Sequence, residues 1–120
     1  MNYLKREQIL SFDDLKTEEV DVPEWGGTVV IKMMSGKERD AFEASIVEMK
    51  GSKQSYKFEN IRAKLVQKTV IDPETKALMF TVGDIEALGN KSAAALDRVF
   101  SVAQKLSKIT SEDVEELAKN

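Results

Sequence analysis

The sequence predicts an α+β fold: a mainly helical single domain over residues 1–120, with four or five helices and an N-terminal β-hairpin. Three observations point to it. Alternating polar and apolar residues flank a Pro/Gly turn early in the chain, capping signals recur from Ser35 onward, and apolar residues follow those signals at helical spacing. With 120 residues, 42% of them hydrophobic and 32% charged, the chain can bury roughly 65% of its unfolded surface in one core.

Residues 6–15 read as a short helical or irregular leading segment, with Ile9, Leu10, Phe12 and Leu15 available for docking. Glu19-Val20-Asp21-Val22 alternates as a half-buried strand does. Pro23-Glu24-Trp25-Gly26-Gly27 is a turn, since proline presets one dihedral and glycine admits positive φ. Thr28 to Met34, rich in β-branched residues, returns as the partner strand, with Val29, Ile31 and Met33 on one face and Thr28, Val30 and Lys32 on the other.

Ser35-Gly36-Lys37-Glu38 matches a capping box, in which hydroxyl and carboxylate satisfy orphan backbone donors. Behind it Ala41, Phe42, Ser45, Ile46 and Met49 share one helical stripe. Gly51-Ser52-Lys53-Gln54-Ser55 is polar, and residues 50–57 read as a flexible connection. A second helix, about Phe58 to Val70, turns Phe58, Ile61, Leu65 and Thr69 inward, and Asp72-Pro73-Glu74-Thr75 closes it. Ala77-Leu78-Met79-Phe80 is a short strand or a core-anchored loop.

The last third uses one device twice. Residues 81–88 and 110–117 each run Thr, two spacers, Asp, Ile or Val, Glu, one spacer, Leu, which suits a capped helix start with acids at its positive end. Gly89 suits the close of the first. Between them Ser92 to Ser107 forms the clearest helix, with Leu96, Val99, Phe100, Ala103 and Leu106 as its apolar stripe.

Composition narrows the chemistry. The chain contains neither His nor Cys, so it has no imidazole base, no thiolate nucleophile and no zinc site of the nitrogen–sulfur kind. No disulfide ties it to an oxidising compartment. No apolar run approaches the roughly 18 residues of a membrane span, and no secretory stretch follows the start. The expectation is a cytoplasmic binding protein without cofactor or metal, not an enzyme.

The formal net charge of −3 is unevenly spread. Residues 1–24 and 110–120 are acidic and residues 50–68 basic, a pattern that suits docking on an acidic partner, or self-association in which opposite signs meet. It equally suits solvated surfaces. The pairs Asp13-Asp14, Glu18-Glu19 and Glu115-Glu116 do not build a metal site by adjacency alone, because neighbours point apart. Gly26-Gly27 lacks the Lys-Ser or Lys-Thr of a phosphate loop. Trp25, the single tryptophan, is either an exposed interface anchor or a cap on the core.

The ordered set of segments resembles a known family. Arg6 to Leu10 leads to Asp14 to Val20 and then to Val22-Pro23-Glu24-Trp25-Gly26-Gly27; a strand follows, then Ser35 to Glu43; the end runs Asp84 to Gly89, Lys91 to Phe100 and Ser111 to Leu117. Along nearly the whole chain, 50–57 excepted, this is similar to the tail assembly chaperones of long-tailed bacteriophages and prophages. The resemblance implies a protein of the host bacterial cytoplasm that binds and solubilises the tape measure protein. It also implies help in recruiting tail tube subunits, and absence from the finished virion. It implies further a frameshifted longer form, with which Ala118-Lys119-Asn120 is compatible. Neither nucleic acid nor membrane is an expected partner. Within that reading the partner-binding candidates are Trp25, Val114 and Leu117, the last two bordering a groove against the Leu96–Leu106 helix. The rival readings are a head–tail connector or tail completion protein, and a small DNA-binding regulator.

Overall fold

The structure is a computed structural model that describes residues 2–50, 53–56 and 60–107, with backbone alone for 48–50 and 53–56. Its architecture is α+β. Helix α1 (Arg6–Ser11) precedes a hairpin of β1 (Thr17–Val22) and β2 (Gly27–Lys32). Then come α2 (Gly36–Ser45), a second hairpin of β3 (Val47–Lys50) and β4 (Lys53–Tyr56), α3 (Ile61–Thr69), the short β5 (Val70–Ile71), α4 (Ile85–Gly89) and α5 (Ala93–Leu106).

The first hairpin closes through a single 3-10 turn, Pro23–Trp25, in which proline supplies the first dihedral and Gly26 the last, at φ 72°. That geometry sets the register Val22↔Gly27 and Val20↔Val29, so Val20, Val22 and Ile31 fall on one face and are buried. β5 pairs antiparallel with the other side of β2, giving the order β1-β2-β5. Leu65 and Val66 of α3 and Leu96, Val99 and Ala103 of α5 cover this face, joined by Phe42 of α2. The stripe expected on α5 is therefore spent on the core, with Phe100 and Leu106 half-buried at its margin.

Polar links hold the layers in register. The Ser107 hydroxyl, at the end of α5, accepts the buried Met34 N–H at 3.1 Å and ties the last described turn to the start of α2. Gln67 is buried and donates through Nε2 to the Phe80 carbonyl at 3.0 Å, anchoring the loop after β5; its Oε1 has no partner among the described residues.

The structure departs from the sequence reading in places. α2 stops at Ser45, and Met49, expected on its stripe, lies on β3. Phe42 and Ile46 of that stripe are buried, whereas Ala41 and Ser45 are exposed. Part of the expected connection, Lys53–Tyr56, pairs antiparallel with Val47–Lys50. α4 does close at Gly89, though not on a left-handed residue; a Cβ there would lie 2.6 Å from the end of the Asn60 side chain. Phe58 and the segment 110–117 lie outside the described residues.

Candidate functional site

The leading segment stands apart from the core. α1 is fixed locally, its start held by the Lys5 N–H donating to Gln8 Oε1 at 2.8 Å, yet it contains no buried residue. Tyr3 is 80% exposed and Phe12 74%, and Leu4, Ile9, Leu10 and Leu15 are exposed as well. The arm meets the sheet at Lys16, whose carbonyl accepts the Met33 N–H at 2.8 Å. A six-residue helix gains little from its own hydrogen bonds in water, and six large apolar side chains left in solvent mark a binding surface more than a structural one. The sequence shows Ile9, Leu10, Phe12 and Leu15 as available for docking; that they stay exposed among the described residues appears only in three dimensions.

A second, smaller patch follows β5. Leu78 forms an isolated bridge to Ile71, and Leu78, Met79 and Val82 are exposed while Phe80 packs on the core. The segment is anchored by backbone bonds, Met79 N–H to the Val70 carbonyl and Asp72 N–H to the Ala77 carbonyl, and by the Phe80 side chain alone among its large apolar groups. Trp25 is half-buried against the core cluster at the tip of the first hairpin. Beside it Glu24 accepts from Arg98 Nε at 2.8 Å, which clips the tip to α5. Val114 and Leu117 lie outside the described residues.

The charged groups serve structure. Backbone hydrogen bonding at Glu24 and then the Arg98 guanidinium hold its carboxyl below the ordinary range. For Glu38, partial burial raises the pKa, but Lys32 and the Ser35 N–H and hydroxyl outweigh it, and the net direction is down. Arg62 pairs with Asp97 across α3 and α5. Among the described residues no three acidic side chains converge to hold a metal ion, and no helix is long and apolar enough to cross a membrane. The arrangement presents apolar area to bury.

A family model described as phage tail assembly chaperone matches residues 6–120. No curated protein and no solved structure matches the chain.

Proposed function

The chain belongs to the phage tail assembly chaperone family, and from that premise we propose that it binds and solubilises the tape measure protein in the host cytoplasm and helps gather tail tube subunits around it, without entering the virion. The observation that carries this reading is the solvent-exposed arm, with Tyr3, Leu4, Ile9 and Leu10 unburied on and beside α1. Such an arm can lie against the apolar face of an amphipathic client helix and remove both surfaces from water, at about 25 cal/mol per Å² buried. Trp25, Val114 and Leu117 belong to the same reading as further partner contacts. The longer frameshifted form would deliver the same domain.

Co-expression with the tape measure protein tests it. The chain is expected to raise the soluble fraction of that client several-fold, and Ile9→Asp with Leu10→Asp to abolish the gain while the circular dichroism spectrum stays that of the parent. Val114→Ala with Leu117→Ala asks the same of the terminal segment. A client equally soluble with and without the chain would end the proposal.

A further inference from the structure

The two margins of the main sheet end differently. On the far side of β5, Met79 N–H donates to the Val70 carbonyl and Asp72 N–H to the Ala77 carbonyl, so that margin is closed by the chain itself. At the other margin β1 is outermost, and among the described residues only β2 pairs with it. The phase of the ladder fixes which backbone groups stay open there. Met33 N–H donates to the Lys16 carbonyl at 2.8 Å, so Lys16 and, at every second position, Glu18, Val20 and Val22 turn their backbone groups toward β2. Glu19 and Asp21 turn theirs outward, where among the described residues nothing accepts or donates.

That open margin is acidic. Between residues 13 and 24, Asp13, Asp14, Glu18, Glu19, Asp21 and Glu24 stand against Lys16 alone. Glu24 is engaged by Arg98, but Glu18, Glu19 and Asp21 are exposed and without an ion-pair partner among the described residues. Charge along an edge strand guards it against pairing with its like. A second β1 laid alongside would set carboxylate against carboxylate. A row of one sign, however, repels only strands of that sign and admits a basic one.

We propose that the open edge of β1 binds an extended basic segment of a partner protein, which adds a strand to the sheet. The pleat sets the pattern that fits. Val20 and Val22 face the core, and Glu19 and Asp21 face the opposite side. The added strand therefore places lysine or arginine beside Glu19 and Asp21, and β-branched residues beside Val20. Backbone bonds to Glu19 and Asp21 hold the strand, and the carboxylates select it. The contact rests on β1 and not on the apolar side chains of the arm, so the client reading stands or falls without it.

The test adds a synthetic peptide of about eight residues, alternating lysine and valine, to the purified full chain. Amide hydrogen exchange by nuclear magnetic resonance is the readout. In the free chain the Glu19 and Asp21 amides are expected to exchange faster than those of Glu18 and Val20, and bound peptide to slow them by about tenfold or more. Glu19→Lys with Asp21→Lys alters exposed side chains and is expected to weaken binding by about tenfold or more, with an unchanged circular dichroism spectrum. The same peptide methylated on alternate backbone nitrogens keeps its charge but cannot pair, and is expected not to bind. Ile9→Asp with Leu10→Asp is expected to bind the peptide as the parent does. Absence of binding overturns the proposal, as does equal binding of the methylated peptide or of one with glutamate in place of lysine. Protection that bypasses Glu19 and Asp21, or binding lost in the Ile9 and Leu10 variant, moves the contact off β1 and overturns it too.

Discussion

At the residue scale, the most consequential side chains sit where two segments need a local reason to turn. Ser35 Oγ accepts the Glu38 N–H at 3.1 Å, and Glu38 Oε1 accepts the Ser35 N–H at 3.0 Å, closing the capping box the sequence announces. Sequence spacing cannot show that Glu38 also pairs with Lys32 at the end of β2, fastening helix to strand. Ser35→Ala is expected to cost about 1 kcal/mol in urea denaturation. Because the folded-state pKa of Glu38 lies below its ordinary 4.5, its contribution is present above that value and fades as pH falls through the lower folded one. The denaturation midpoint of the parent should therefore decline below about pH 4.5 more steeply than that of Glu38→Gln; equal slopes would remove the carboxylate from the account. Gly89 teaches the complementary lesson, since it faces the side chain of Asn60, 29 positions earlier in the chain, a proximity that no local signal carries.

At the scale of elements, α1 and α5 make the contrast. Both starts are held locally: the Lys5 N–H donates to Gln8 Oε1 at α1, and Ser92 Oγ accepts the Ala95 N–H at 3.2 Å at the start of α5. Yet α5 buries Ala95, Leu96, Val99 and Ala103 while α1 buries nothing. Deleting residues 1–12 is accordingly expected to leave the thermal midpoint nearly unchanged, within about 1 kcal/mol of parental stability, while removing the binding activities assigned to the arm. A large loss of stability would mean that the arm packs on its own body. The end of α2 shows a different limit. Helical spacing continues to Met49, but the chain leaves the helix after Ser45, where the Ile46 N–H bonds to the Glu43 carbonyl, and enters a ladder with Lys53–Tyr56. Pairing within this hairpin outweighs a weak helical propensity.

At the scale of the molecule, one core joins distant segments. β1 and β2 meet α5, α3 meets α4 and α5, and Ser107 reaches back to Met34. Trp25 packs at the edge of that core from the hairpin tip. Its fluorescence should therefore report unfolding in step with far-ultraviolet circular dichroism, giving coincident urea transitions. Separate midpoints would show that the hairpin and the α3–α5 layer melt as independent units.

The sequence by itself determined the α+β class, the first hairpin and its turn, the capped start at Ser35, the helix from Ser92 and its apolar stripe, together with the family that the ordered segments resemble. These are local properties, written in spacings of two to four residues and in the side chains that satisfy nearby backbone groups. Tertiary structure alone decided which apolar residues find a seat. Leu96 and Phe12 are comparably hydrophobic, but Leu96 is buried beneath the sheet and Phe12 stands in water. Burial is a relation between distant segments, so it follows from how β1, β2, α3 and α5 close on one another and leave the arm outside.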